Sequence, residues 1–521
     1  MNYVKNNELS GLKVLFLFPS QRKMSLVPPS IGLFSQLLKD QGATCELFDT
    51  SMYKISGKDA DLVRERNLTV HPVNEKFKAP YKRGDVFDDL NKKIVEFSPD
   101  LLAVTSTDCT FELALDLLKS IKNHNVLTIL GGVFATFAPE FALSFSEIDI
   151  VCVGEGEGPL IELCHRLKNN ESYDDIKNLW IKKYDGSIIK NPLRPVLDIN
   201  NLPPLDLSIF EEERLYRMMG GNMYRMLPVE THRGCPYTCT YCGSPTQNKM
   251  YWDQTKSRFY RSKSISRVKD IVYYYTKEWK AEYFFFWADT FLAYNDDEVD
   301  EFCEMYENIK IPFYVQGRPE TINDHKIKRL KEVGLDRVGV GIEHGNEEFR
   351  RKVLSRAYTN KQAIDSMNIL RENGISFSLN NIIGLPDETY DLAMETVELN
   401  RKIKGFSDAS CSIFQPYYGS YLRDYSIKKG YMRSDVIASH NQDVSILDMP
   451  HFPKEKILGL QRTFSMYIRF PRDRWDDIKL AEKFTVEGNK MWDSLRSELI
   501  EDYFNKSGTK IVDDKKIVQV L

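Results

Sequence analysis

Three cysteines set the chemistry to be explained. Cys235, Cys239 and Cys242 stand as C-x3-C-x2-C within LPVETHRGCPYTCTYCGSP, residues 227–245. Thiolates are soft ligands that suit iron–sulfur clusters and also zinc. A cubane [4Fe–4S] cluster has four irons, so three thiolates leave one iron open to an external ligand. A structural zinc site wants a fourth Cys or His nearby, and His232 stands three residues before Cys235. Both readings are open on spacing alone. Apolar LPV ahead of the cysteines reads as a strand, and Gly234 and Pro236 mark a turn.

The chain that must position this loop has 521 residues, too many for one core, and a soft expectation of roughly two to four domains. A formal net charge of −4 gives no reason to expect nucleic acid or an anionic membrane as a general partner. Cys45, Cys109, Cys152, Cys164, Cys303 and Cys411 are scattered among mostly apolar neighbours, as buried free thiols would be. An odd total without paired spacing argues against a secreted disulfide framework. The opening MNYVKNNELSGLKVLFLF has too short an apolar run for a signal peptide, and no stretch approaches the roughly 20 residues of a membrane span. The expectation is a cytoplasmic protein.

Residues 1–170 read as a doubly wound, flavodoxin- or Rossmann-like α/β unit. Its strands are LKVLFLF, TCELFDT, LLAVTST, VLTILGG and DIVCVGEGEG, alternating with helices that begin at VPPSIGLFSQLLKDQG. Such sheets bind ligands beyond the carboxyl ends of their strands. Those ends carry Ser20, Thr105, Ser106, Gly131, Gly132, Gly154, Glu155 and Gly156. Small residues there admit a large planar ligand, or are ordinary loop glycines of this architecture. No G-x-G-x-x-G follows the first strand, which disfavours a nicotinamide cofactor.

Residues 171–226, with NPLRPVLDINNLPPLDLSIF and LYRMMGGNMYRM, read as a linker whose methionines fill irregular gaps. From 227 to 430 strand–helix alternation resumes, giving six β/α units of a partial, TIM-type barrel. Its strand ends place Asp289, Gln316, Arg318, Glu343, Asn381 and Gln415 at one rim. Asp289 also suits a helix N-cap. Glu343, within an apolar strand, also suits an ion pair with a barrel arginine. Arg356 suits a bidentate carboxylate contact or a solvated helix face. Tyr417 and Tyr418 fall at the mouth, as packing or as substrate contacts. Residues 431–521 read as a mostly helical domain closing the mouth, with MYIRFPRDRW (466–475) as a candidate substrate contact.

Gly234 and Pro236 around the first cysteine, and Tyr241 before the last, make this loop resemble the signature of the radical SAM enzymes. VPPSIGLFSQLLKDQG, LLAVTST, ILGGVFATFAPE and GEGEGPLIEL resemble the cobalamin-binding domain that precedes many of them. The resemblance implies a [4Fe–4S] cluster on the three cysteines, and S-adenosylmethionine (SAM) bound near Tyr241, Asp289, Glu343, Arg356 and Ile382. In NNIIGLPDE, Asn380 stands where that family has glycine and Asp387 where it has Glu. The resemblance also implies cobalamin at the eight strand-end residues. Phe134 stands where many members carry His, and D-x-H-x-x-G is absent, so base-off cobalamin without a protein histidine is implied. The implied activity is C-methylation of an unactivated carbon through a 5′-deoxyadenosyl radical and methylcobalamin. Cyclisation or oxidative rearrangement without methyl transfer is the alternative. Implied partners are a small-molecule, lipid or peptide substrate and a flavodoxin- or ferredoxin-like electron donor.

If the three cysteines are the only protein ligands, anaerobically reconstituted protein will hold about four irons per chain. Replacing all three with Ala will abolish the iron and its visible absorbance; a cluster surviving in the triple variant would contradict the assignment.

Overall fold

The computed structural model describes residues 5–20, 26–55, 60–70 and 81–504. The run LKVLFLF becomes β1 (Lys13–Phe18), buried along its middle because it is a central strand. It pairs in parallel with β2 (Thr44–Asp49) on one side and β3 (Leu101–Thr105) on the other. β4 (Thr128–Gly131) and β5 (Ile150–Cys152) continue the parallel order. The spatial order β2-β1-β3-β4-β5 reverses direction between β1 and β3. That switch point is where a doubly wound sheet opens a crevice for a ligand.

The segment read as a linker departs from the expectation. β6 (Leu179–Lys182) adds antiparallel to β5 and β7 (Ile188–Lys190) antiparallel to β6, which extends the first sheet to seven strands. Leu179 and Ile181 are buried in its core. The following residues are docked too. Asp206 accepts from Ser35 Oγ at 2.6 Å and Lys39 Nζ at 2.7 Å, and Arg214 Nε donates to Asp49 at 2.9 Å. MMGGNM forms a hairpin between β8 (Tyr216–Met219) and β9 (Asn222–Glu230), turned by Gly220 at φ +57° and Gly221 at φ +84°.

β9 begins the second sheet. After the short antiparallel pair β10 (His232–Arg233) and β11 (Arg261–Ser262), five more parallel strands follow. They are β12 (Tyr283–Trp287), β13 (Phe313–Gly317), β14 (Leu335–Glu343), β15 (Ser376–Ile383) and β16 (Asp408–Ile413). The order β16-β15-β14-β13-β12-β9-β8 leaves the sheet open, with six parallel strands and β8 antiparallel at its edge. The helix Lys454–Arg469 packs on β16 and the helix Tyr390–Lys402. Met466, Tyr467 and Phe470 are buried there, so this part of MYIRFPRDRW closes the open edge rather than the mouth. The end of the expected C-terminal domain, 505–521, lies outside the described residues. Among the described residues no helix is long and apolar enough to cross a membrane.

The two sheets meet at their carboxyl ends. The loop after β16 puts Tyr418 edge-on to Phe134, with ring centroids 5.4 Å apart, and Arg423 stacks over Tyr418 at 3.5 Å. Tyr418 N donates at 2.9 Å to Asp108, which starts the helix after β3. Burial pushes the Asp108 carboxyl up from 3.8 to about 6. Between those values the folded chain keeps a proton that the unfolded chain has released, so stability falls as pH rises through that window. An Asp108→Asn variant keeps the acceptor and loses this dependence. It should gain on the native chain by about 2 kcal/mol between about pH 4.5 and about pH 7. Melting curves at the two pH values check this, and a constant gap would contradict it.

Candidate active site

The cysteine loop is held at both ends. Gly234 takes φ +80°, where a Cβ would also press Phe259 at 2.8 Å. On the far side the helix Ser244–Thr255 begins with Pro245 in its first turn, and Asn248 Nδ2 donates to Cys235 O at 2.9 Å. The three thiols lie close enough for Cys242 to feel the charge of Cys239, and Cys235 that of Cys242. Arg318 Nη1 donates to Cys239 Sγ at 3.0 Å, and Ser244 N to Cys242 Sγ at 3.4 Å. Burial pushes the Cys235 thiol up to about 11, so its thiolate form calls for a bound cation.

The donor set fits a cluster better than a single zinc. Among the described residues, no three of His, Cys, Asp and Glu surround the position of one ion. Thiolates on separate corners of a cubane stand further apart than the ligands of one zinc. His232 is engaged elsewhere. Its Nδ1 shares a hydrogen bond with Thr231 Oγ1 at 2.9 Å, and its ring packs on Tyr294 and Tyr260. Burial, reinforced by Lys263, pulls its pKa down to about 4, the mark of a neutral core histidine.

Beside the thiols lies a cavity of about 310 Å³ under the ends of β14, β15 and β16. Tyr241, Glu343 and Ile382 share its wall with Asn380, Gln415 and Tyr417. The sequence-predicted SAM residues Tyr241, Glu343 and Ile382 are thus brought together. Arg356 stands behind them, 3% exposed at its side chain. It donates to Glu343 Oε1 at 2.7 Å, to Tyr241 Oη at 2.9 Å and to Gly341 O at 2.9 Å. Its two terminal nitrogens are on protein acceptors, its Nε is buried without one, and it lines neither of the site's cavities. It also makes the Glu343 ion pair real. Asp289 faces the other side of the thiols. It accepts from Ser244 Oγ at 3.3 Å, caps no helix and is an exposed residue, although desolvation by the protein around it still pushes its carboxyl up.

A second cavity, about 410 Å³, opens between the sheets. Thr105, Gly131, Gly132, Gly154, Glu155 and Gly156 line it from the first sheet, and Pro228, Glu230, Arg233 and Trp287 from the second. Gly132 at φ +99° and Gly154 at φ +82° are cradle positions, where a Cβ would collide with Ser106 O and with the Tyr251 hydroxyl. No histidine of the described residues lines this cavity. Three expectations change. Ser20 does not line it; its N–H donates to Thr50 Oγ1 at 2.7 Å. Ser106 lies behind the wall, its hydroxyl buried without a hydrogen-bond partner. Glu155 lines the cavity, yet its carboxylate is committed to Arg233 at 2.7 Å and to Arg261.

That commitment belongs to a buried network. Arg233, two residues before Cys235, also pairs with Glu157 at 2.6 Å and Glu230 at 2.9 Å, and Lys263 pairs with Glu230. Burial works to raise Glu230, but Arg233 and Lys263 hold it down to about 2.

Residues 229–399 match the radical SAM superfamily model, and residues 60–164 match the B12 binding domain. The chain is a cobalamin-binding radical SAM enzyme. An uncharacterised methyltransferase of Pyrococcus horikoshii is 28% identical over 74% of this chain and 82% of its own. The anaerobic magnesium-protoporphyrin IX monomethyl ester cyclase of Rubrivivax gelatinosus is 26% identical over 60% of this chain and 56% of its own. The cobalamin-dependent S-adenosylmethionine radical enzyme OxsB has the same fold, with TM-score 0.64 at 16% identity, over 94% of this chain and 71% of its own. A [4Fe–4S] cluster, SAM and cobalamin are the cofactors that these two domains bring to the enzyme.

Sequence reasoning placed Arg318 at the rim of this radical SAM enzyme without a role. Its guanidinium lies 3.7 Å from the centre of the Tyr237 ring and touches Cys239, the one cation in hydrogen-bond contact with a cluster thiol among the described residues. Nothing in its local sequence announces this, because the contact spans 79 residues. A hydrogen bond and a positive charge at a cluster sulfur favour the reduced state. Arg318→Met should keep about four irons and shift the cluster's midpoint potential to a more negative value. An EPR-monitored redox titration checks this, and an unchanged potential would contradict it.

Proposed function

We propose that this enzyme is a C-methyltransferase acting on an unactivated carbon. The observation that carries the reading is the 410 Å³ cavity walled by both sheets, which opens beside the cysteine loop. The methyltransferase relative matched over 74% of the chain supports the same reading. When bound, the cluster and SAM supply a 5′-deoxyadenosyl radical, and cobalamin supplies the methyl group.

The chain's own residues then bind, orient and exclude water. Cys235, Cys239 and Cys242 hold the cluster. Tyr241 and Ile382 flank the nucleoside of SAM, and Glu343 accepts from its ribose hydroxyls. Asp289, next to the thiols, faces the amino group. Thr105, Gly131, Gly132, Gly154 and Gly156 would let the corrin approach the backbone, and among the described residues no histidine lines that cavity. Apolar residues of the larger cavity's wall, among them Phe34, Pro228, Phe259 and Trp287, would help to keep water out. A small flavodoxin or ferredoxin delivers the electron. The 26% identity to a ring cyclase supports a second reading, radical cyclisation without methyl transfer.

Methyl-labelled SAM separates the two. Reduced enzyme loaded with cobalamin should move the label to cobalamin and release S-adenosylhomocysteine, while 5′-deoxyadenosine forms at the cluster. Formation of 5′-deoxyadenosine with neither S-adenosylhomocysteine nor labelled cobalamin would reject methyl transfer and favour cyclisation.

A further inference from the structure

β14 ends in a reversal that sheet packing alone does not require. Glu343 has φ +62°, and His344 N donates to Ile342 O at 2.8 Å, only two residues back. This is a γ-turn of the positive-φ kind, which is rare and strained, centred on a residue with a full side chain. The pairing of β14 with β15 slips in register between Gly341 and Glu343. The slip turns the Glu343 carboxylate into the cavity wall beside Tyr241 and Ile382. Gly341 leaves it room, since a Cβ there would collide with Glu343 Oε1. Strain of this kind persists only where surrounding groups over-determine the backbone.

Those groups are on hand. Arg350, fully buried, donates to His344 O and to Tyr358 O, each at 2.6 Å. The Tyr358 hydroxyl in turn donates to Ile342 O. Both carbonyls that flank Glu343 are therefore tied. The His344 ring is tied as well. Its Nδ1 accepts from Asn346 N at 3.1 Å, which puts the ring proton on Nε2, and Nε2 donates to Glu388 Oε1 at 3.0 Å. The other oxygen of Glu388 accepts from Leu385 N at 2.9 Å. His344 and Glu388 have no side-chain exposure, so neither donor has water to turn to.

We propose that His344 and Glu388, with Arg350, are positioning residues for SAM: they hold Glu343 in its strained turn, facing the nucleoside. The proposal rests on Glu343 contacting SAM, and the experiment separates the two claims.

Glu388→Gln supplies one acceptor where two buried donors converge, so one donor is stranded and the turn loosens. Cluster-loaded Glu388→Gln should bind SAM about tenfold more weakly by equilibrium dialysis, with native iron content and native cobalamin binding. Glu343→Gln should weaken SAM binding too. Native affinity in Glu388→Gln, alongside weakened binding in Glu343→Gln, overturns the positioning role alone. Native affinity in Glu343→Gln overturns the SAM contact and the proposal with it. If Glu388→Gln does not fold, the strain is read at Glu343 itself. Glu343→Gly should melt ~2 °C above Glu343→Ala, because only glycine accepts the left-handed conformation without cost. The reverse order overturns the proposal.

Discussion

Three carboxylates and three cations meet where the two sheets touch, and the rest of the site depends on that meeting. Glu155 and Glu157 come from the loop after β5, while Glu230, Arg233, Arg261 and Lys263 come from the strands around the cysteine loop. The charges balance, but balance is not a large source of stability. Desolvating a buried ion pair costs about as much as its attraction returns, whereas removing one partner strands a charge at roughly 3–5 kcal/mol. The network therefore specifies a single docking. Any other placement of the first sheet takes Glu155 and Glu157 away from Arg233 and Arg261. Because Arg233 stands two residues from Cys235, the same contact sets where the cysteine loop sits relative to the ends of the first sheet.

Around that junction the chain gives up local comfort to build a cavity wall. Gly132 and Gly154 adopt conformations open to glycine, with Ser106 O and the Tyr251 hydroxyl standing where a Cβ would be. Glu343 takes such a conformation without being glycine. Arg356 is buried on Glu343 and Tyr241, and both Arg356 and Arg318 feel the charge of Cys239. Two guanidiniums therefore offset the negative charge that accumulates on the thiolates and Glu343. Gly132, Gly154 and Glu343 each border one of the two cavities, as expected where function outweighs local consistency.

Much of this was legible in the chain. Both parallel sheets are written as apolar runs punctuated by Gly and Pro, and the cysteine spacing with Tyr241 marked the cluster loop. Tyr241 from the cysteine loop, Glu343 from the end of β14 and Ile382 from β15 share one cavity wall. The strands LWIK and IIK look like loop by composition because they are short, joined through DGS and followed by Pro192 and Pro195. The GG of MMGGNM is itself a hairpin signal, met here by the turn between β8 and β9. Arg356 follows a charged helix, so its spacing suggested solvent; only the distant Glu343 and Tyr241 draw it inside. Ser20 lies just past the end of its strand, but its backbone N–H bonds Thr50 Oγ1, a neighbour 30 residues on that no local pattern encodes.

The central claim is that one site, walled by both sheets, serves cobalamin and the cluster together. Its most direct test is the EPR spectrum of enzyme holding both cob(II)alamin and the reduced cluster. The account predicts magnetic coupling between the two spins, seen as splitting or enhanced relaxation that disappears when either cofactor is left out. Two unperturbed signals that simply add would place the cofactors in separate sites and contradict it.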